Sequence, residues 1–426
     1  VASDLNVPPA PQQLEVVVVG AGQAGLAIGY HLRERGRRFV ILERGQVGET
    51  WRSQRWDTFV VNTPNWLSAL PGAPYDGPAP DGFYTTEEWV GYLGAYARRF
   101  SLPVRAGWEV TSVAPAPEGF LVHGTVADGS AFVLSARAVV AATGVLNSPR
   151  LPSLSRDLPP DLDQLHAADY RSAADLPEGA ILVVGGGQSG CQIAEDLIEA
   201  SRTVYLSASK VGRVPRRYRG RDVMKWMLDT GFWDVRLDDL DDPEIAQLPQ
   251  PQLSGIGAFG HTLSLQHLAS KGVILMGRIT GIEDGVLVTD GRLAEYVAYA
   301  DEFSAKVKAD IDAYIAAERI DAPRPEDDPA DVPSPGELAG SVERLDLRVT
   351  GVTAVIWCTG FTSDFGWLEV PVLDEAGRPV HRRGVSSVPG LYFLGFPWLH
   401  SRKSGVIPGV DEDGAHIADS IDAYLG

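Results

Sequence analysis

Short apolar runs and glycine turns alternate along this chain. Leu14–Val19 is short and, from Val16 on, unbroken and β-branched, the pattern of a strand buried on both faces. Glycines at 20, 22 and 25 follow at once, and Leu26–Arg35 then carries apolar residues at helical spacing. Arg38–Leu42 is a second apolar strand, and it ends at Glu43. The whole is a strand–turn–helix–strand unit of about thirty residues. The pattern returns at Ala180–Val184, where Gly185, Gly187 and Gly190 open a helix over Cys191–Ala200. Its returning strand, Thr203–Leu206, ends at Ser207. Two such units form an internal repeat of one specific kind.

Thr86–Phe100 reads as an amphipathic helix, and Val110–Val113, Phe120–Thr125 and Phe132–Ser135 as a small antiparallel meander. Ala138–Ala142 is a buried strand stopped by Thr143 and Gly144. The Pro-rich stretch 147–160 marks a domain crossing. Glu295–Glu318 has helical spacing, and Asp321–Glu337, acidic and Pro-rich, reads as a mobile loop or strap. Ala354–Cys358 repeats the strand-then-Thr-Gly pattern with Thr359 and Gly360. Leu391–Leu394 is a strand ending in Gly395, and Asp411–Tyr424 is a closing helix. The first 13 residues read as a loose polar arm. The expected fold is α/β: two Rossmann-like dinucleotide-binding domains, the second inserted into the first. Residues 1–150 and 346–426 form one, and 151–345 the other, with a helical insertion at 295–337.

The 426 residues are 44% hydrophobic and 22% charged, an ordinary globular balance that excludes general disorder. A net charge of −19 argues against a nucleic-acid or anionic-membrane partner. No apolar run reaches the roughly eighteen residues of a membrane span. Val16–Val19 lacks the basic flank and length of a signal peptide, so the expected location is cytoplasmic. The two cysteines, Cys191 and Cys358, lie too far apart for a CxxC pair, which weakens a disulfide-reductase reading. His261 and His267 are six apart, not the i,i+4 spacing of paired helical ligands, and no metal site is expected. There is no GxSxG elbow and no Walker A motif.

The first glycine of each GxGxxG permits the tight turn. The second lets backbone approach a pyrophosphate, and the third lets helix and strand pack closely. The pyrophosphate then sits on unpaired N–H groups at the helix N-terminus. Glu43 stands about twenty residues on, where an acid binds ribose hydroxyls. Ser207 occupies that place in the second unit, and Lys210, Arg213, Arg216 and Arg217 follow. No acid is there to repel a 2′-phosphate, so NADPH is favoured over NADH. Two dinucleotide sites imply electron transfer, with FAD in the first unit and NADPH in the second.

Gly20–Gly25 and Gly185–Gly190, with Ala142–Gly144 and Cys358–Gly360 as crossover hinges, resemble the two-dinucleotide-domain flavoproteins. Residues 41–44, Glu49–Trp51, Arg55–Pro64, Leu70–Gly72, Tyr84–Tyr96 and Gly185–Ser189 narrow the resemblance to the class B flavoprotein monooxygenases. That group holds flavin-containing monooxygenases, plant auxin-forming enzymes and bacterial relatives. The resemblance implies FAD contacts from Gly20, Gly22, Gln23, Ala24, Gly25, Glu43, Arg44, Thr50, Trp51, Thr143, Gly144 and Gly395. It implies NADPH contacts from Gly185, Gly187, Gln188, Ser189, Gly190, Ser207, Lys210, Arg213, Arg216 and Arg217, with Thr359 and Gly360 at the second hinge. Asn62 is the candidate amide at the reactive face of the flavin; His400, Arg402 and Lys403 are candidate contacts to flavin or substrate, and Trp398 and Phe396 candidate walls of an aromatic pocket. The helix from about Val410 is expected to aim at the flavin's pyrimidine end, although Asp411, Glu412 and Asp413 compete for its positive terminus. His166 and Tyr170 keep the H-x-x-x-Y part of a linker motif, whereas Pro160 and Leu162 replace its Phe and Gly.

The function so implied is transfer of one oxygen atom from O2 to a small apolar or aromatic organic substrate through a C4a-(hydro)peroxyflavin. Two alternatives stay open: a reductase or oxidase without oxygen transfer, and a non-enzymatic nucleotide-sensing flavoprotein. A homodimer is also left open.

Overall fold

The computed structural model describes residues 12–146, 148–247, 250–257, 260–331 and 342–426. Two separate sheets organise the chain. In the first, parallel strands Leu391–Phe393, Ala131–Ala141, Gln12–Val19, Phe39–Glu43 and Val104–Ala106 lie side by side in that order. Val16–Val19 and Val40–Leu42 supply its centre: Val16, Val17, Val18 and Ile41 are inaccessible to solvent, as apolar β-branched runs predict. Helix Gln23–Glu34 covers one face together with the closing helix Val410–Leu425. Helix Thr86–Arg99 starts from a full capping box, in which Thr85 and Glu88 satisfy each other's backbone N–H groups.

Ala131–Ala141 is one strand of 11 residues, where the sequence suggested two. Its first half pairs antiparallel with Gly119–Val126, and the strand also pairs parallel with Gln12–Val19. The meander and the parallel sheet therefore share a strand.

The second sheet runs Ile274–Met276, Val204–Ser207, Ala180–Val184, Val352–Trp357, Asp163–His166, all parallel. Val352–Trp357 sits between Ala180–Val184 and Asp163–His166. The return to the first sheet therefore comes after Trp357 and not at the expected position 346.

Outside these sheets runs the helix Leu293–Glu318, 26 residues long. Val307 and Ile311 bury against Val214, Trp226, Met227 and Trp233 in a separate apolar cluster. The acidic strap after it is tied down as far as Asp331. Asp328 accepts from Thr262 at 2.5 Å, and Asp331 accepts from Ser304 at 2.9 Å and pairs with Lys308 at 2.7 Å. The rest of the segment expected to be mobile, through Glu337, lies outside the described residues, as do the first 11 residues and Asn147.

Candidate active site

The strand Gln12–Val19 delivers the chain to Gly20 with φ +107°, where a Cβ would lie 2.6 Å from the Ala142 carbonyl oxygen. A Cβ on Gly25 would overlap the Gly20 carbonyl, so the third glycine is what lets helix and turn touch. Gly22 behaves differently: its Cβ would meet nothing within 4 Å, leaving the helix N-terminus open to a ligand. Glu43, 7% exposed at the end of the neighbouring strand, accepts from the N–H groups of Ala21 at 2.7 Å and Gly45 at 3.1 Å.

Two adjoining cavities of about 380 and 140 Å³ form a trough past these residues. Gly20, Glu43, Thr50 and Thr143 line both. Arg44 lines the larger cavity, and Gly22, Gln23, Ala24, Trp51, Gly144 and Gly395 the smaller. The buried Thr143 hydroxyl has no hydrogen-bond partner among the described residues. The open helix terminus, the strand-end carboxylate and this orphaned hydroxyl fit the pyrophosphate and ribose of a dinucleotide.

Arg55 is a wall of the trough that motif reading missed. Its guanidinium lies 4.9 Å from the Trp51 ring and 5.1 Å from Phe59, and desolvation, then the charge of Arg171, pushes its pKa down to about 10. Trp51 donates its indole N–H to Gln23 at 3.0 Å. Trp108, Asp364 and Trp367 also line the larger cavity and belong to no glycine motif. They meet there only because distant segments fold together.

The second glycine turn repeats the first. A Cβ on Gly190 would overlap the Gly185 carbonyl, whereas one on Gly187 would meet nothing within 4 Å. Gln188 and Gln192 donate to the Ser254 carbonyl at 2.5 and 2.9 Å, which docks residues 252–256 against the helix Gln188–Glu199. Ser189 is exposed in its first turn. The Ser207 hydroxyl donates to the Gly277 carbonyl at 3.0 Å. Ser207 stands where Glu43 stands in the first unit, and the acid beside Gly277, Asp290, is paired with Arg278 at 3.5 Å.

The cations expected around Ser207 separate into two groups. Arg213 and Arg216 are each 1% exposed. Arg213 pairs with Asp331 and, at 2.5 Å, with Asp301; Arg216 pairs with Asp222 at 2.5 Å and stacks on Phe83. Both guanidinium groups are held inside the fold by these partners. Lys210 and Arg217 remain exposed, Lys210 with its ammonium 4.4 Å over the Tyr299 ring. Arg278, next to Gly277 at the same sheet end, is a further exposed cation that the sequence pattern did not single out.

Asn62 lies where the two nucleotide units meet. Its side-chain oxygen accepts from Gln192 at 3.2 Å and its carbonyl from Arg216 at 2.9 Å. Nearby, Asp196 of the same helix accepts from Tyr170 at 2.5 Å and from Thr58 at 2.8 Å. His166 accepts from the Ala168 N–H at 3.1 Å through Nδ1 and donates through Nε2 to the Gly360 carbonyl at 3.0 Å, an arrangement that requires the neutral ring. Burial lowers its pKa accordingly. Thr359 donates to the Arg150 carbonyl at 2.5 Å, so the second hinge is latched to the linker.

His400 stands apart from Asn62, 4.0 Å from Glu412 of the closing helix, with its carbonyl accepting from Leu237. Burial and then Arg383 lower its pKa. Neither Asn62 nor His400 lines the trough. His261 and His267, unpaired by sequence spacing, are brought together by tertiary folding: their rings are 6.1 Å apart beside the buried Glu195. Lys271 sits 2.8 Å from the same carboxylate and His261 also at 2.8 Å, so the three form an ion-pair network around Glu195.

Two parallel sheets, each with a glycine turn and an open helix terminus, define a flavin-monooxygenase-like oxidoreductase with two dinucleotide-binding units. A family model described as pyridine nucleotide-disulphide oxidoreductase matches residues 17–219. An oxidoreductase named CzcO-like from Geobacillus kaustophilus is 33% identical over 96% of this chain and 98% of its own length. A probable indole-3-pyruvate monooxygenase of Arabidopsis thaliana is 26% identical over 89% of this chain and 82% of its own. In fold, the flavin-containing monooxygenase of Stenotrophomonas maltophilia superposes with a TM-score of 0.62 at 20% identity, covering 97% of this chain and all of the other. The chain belongs to the CzcO-like oxidoreductase family. Among the described residues, no helix is long and apolar enough to cross a membrane.

Proposed function

We propose that this protein is an NADPH-dependent FAD monooxygenase that places one atom of O2 in a small apolar or aromatic substrate. The observation that supports the reading is Asn62 at the contact between the units, where its side-chain oxygen accepts from Gln192 of the second nucleotide helix. Once bound, NADPH supplies hydride, and FAD accepts it and activates oxygen.

The chain's own residues have separable roles in this reading. Gly20, Gly22 and the helix N-terminus receive the FAD pyrophosphate, and Glu43 takes ribose hydroxyls in place of its present backbone partners. Trp51, stacked under Arg55, closes the trough wall against water. Asn62 offers an amide that hydrogen-bonds a reacting oxygen without being an acid, so it holds a proton back. Lys210 and Arg217 are the exposed cations that would meet a 2′-phosphate, with Arg278, paired with Asp290 at 3.5 Å, beside them.

A dithiol mechanism has less support. Burial raises the pKa of both thiols, that of Cys358 to about 12, so neither is a thiolate at neutral pH. The deciding experiment loads the purified protein with FAD and supplies NADPH anaerobically, then ¹⁸O₂ with substrates varied. The reading expects fast bleaching of the flavin and one labelled oxygen atom in a product, with hydrogen peroxide release falling as product appears. Rapid bleaching followed only by stoichiometric peroxide would favour an oxidase, and no bleaching a nucleotide sensor.

A further inference from the structure

We infer that a second cavity, one loop away from the flavin trough, binds a small aromatic or aliphatic carboxylate. Its assignment as the substrate site rests on the oxygenase reading above; the binding itself does not.

The cavity measures about 680 Å³ and lies between the long helix Leu293–Glu318 and the short helix Val223–Asp229 with its following turn. That volume falls in the range of small-molecule pockets. Tyr299, Phe303, Phe232, Ile311 and Trp398 give it a mainly apolar, aromatic wall. Arg402 is set into that wall. Its guanidinium lies 4.0 Å from the Phe232 ring and 5.5 Å from Trp398, and it donates to the Phe232 carbonyl at 3.4 Å. Among the described residues no carboxylate pairs with it.

The chain carries a net charge of −19, and Lys403, next in sequence, is paired with Asp234 at 2.7 Å and Glu412 at 2.8 Å. Lys306, the other cation on the cavity, is tied to Asp310 at 2.8 Å. Arg402 therefore keeps its planar donors for something else, and a carboxylate is the group they match. The flanking rings suit an apolar body attached to it.

The backbone agrees. Trp398 has φ +57°, a left-handed conformation that a bulky side chain rarely adopts, and it is nevertheless 7% exposed. The strained turn aims the indole into the cavity. Gly395 and Gly405, on either side of this turn, line the flavin trough, whereas Trp398 and Arg402 between them line the cavity. A ligand on Arg402 thus sits against the far side of the loop that walls the trough.

The test measures equilibrium binding of 3-phenylpropanoate and the neutral 3-phenylpropanol to the FAD-loaded protein by calorimetry, without NADPH. The expectation is that the carboxylate binds about ten- to a hundredfold more tightly than the alcohol. Arg402→Met should erase that difference and leave alcohol binding unchanged, and Arg402→Lys should restore part of it. Ala313→Trp, at an exposed helical position on the cavity, should weaken both probes. Equal binding of the two probes, a carboxylate that does not bind at millimolar concentration, or an Arg402→Met protein that keeps the preference would each overturn the inference. Because no turnover is measured, a failed oxygen-transfer assay would count against the oxygenase reading and leave this result standing.

Discussion

Five arginines lie between positions 213 and 221, and the fold gives them different fates. Arg213 and Arg216 neutralise buried carboxylates, and removing one partner of such a pair leaves an uncompensated charge. Arg213→Ala or Arg216→Ala should therefore destabilise the fold by about 3–5 kcal/mol in urea titrations. The double change Lys210→Ala, Arg217→Ala should instead raise the KM for NADPH about tenfold more than that for NADH, with an unchanged urea midpoint. Equal effects on both coenzymes would remove these two cations from the 2′-phosphate. Asn62→Ala should leave anaerobic flavin reduction fast but raise the fraction of NADPH lost as peroxide; unchanged coupling would clear the amide. Asp413 supplies a pH test. Burial, opposed by a bond from Ser404, raises its pKa to about 6, and one of its oxygens has no partner. The folded chain then binds an extra proton between about pH 4 and pH 6, where the unfolded chain has already lost it. Its stabilising contribution is full below about pH 4 and is lost as pH rises to 6, by up to about 3 kcal/mol. Asp413→Asn should flatten that segment of the stability profile.

The glycine turns show what was readable in the chain and what was not. Strand, turn and helix are local, so the apolar run Val16–Val19 and the spacing of Gly20, Gly22 and Gly25 place the first cradle without tertiary knowledge. The same holds for Gly185–Gly190. Trp108, Asp364 and Trp367 were not readable as trough residues, because they come from the meander and from beyond the second sheet. The boundary at 346 failed for a related reason. Val352–Trp357 has the pattern of any buried strand, and only its partners reveal that it belongs to the second sheet. The two kinds of glycine in one motif also differ in a way that can be measured. Gly25→Ala and Gly190→Ala drive a Cβ into a carbonyl oxygen and should lower the melting temperature even without ligand. Gly22→Ala and Gly187→Ala meet open space, so the apo fold should melt as before while FAD retention or NADPH affinity falls. An apo protein destabilised as much by Gly22→Ala as by Gly25→Ala would contradict this division.

At the scale of the whole molecule, the two nucleotide units are joined by polar contacts that converge on one helix. Asp196 accepts from Thr58 of the first unit and from Tyr170 of the linker, and four residues earlier Gln192 holds Asn62. Asp196 is 9% exposed, so each hydroxyl it loses leaves carboxylate oxygens poorly satisfied in a dry setting. Hydrogen bonds to a buried charge contribute about 1.5–3 kcal/mol each. Because Thr58 and Tyr170 share one acceptor, their effects should not add. Thr58→Val and Tyr170→Phe, singly and together, form a cycle with an expected coupling of about 0.5–3 kcal/mol in urea denaturation. The Asp196 carboxylate is what fixes Tyr170 of the linker. Tyr170→Phe should therefore slow anaerobic reduction of bound FAD by NADPH while flavin content stays level. A purely structural contact would lower flavin content and stability together and leave the reduction rate per bound flavin unchanged. That outcome, or strict additivity in the cycle, would deny Asp196 any part in aligning the two units.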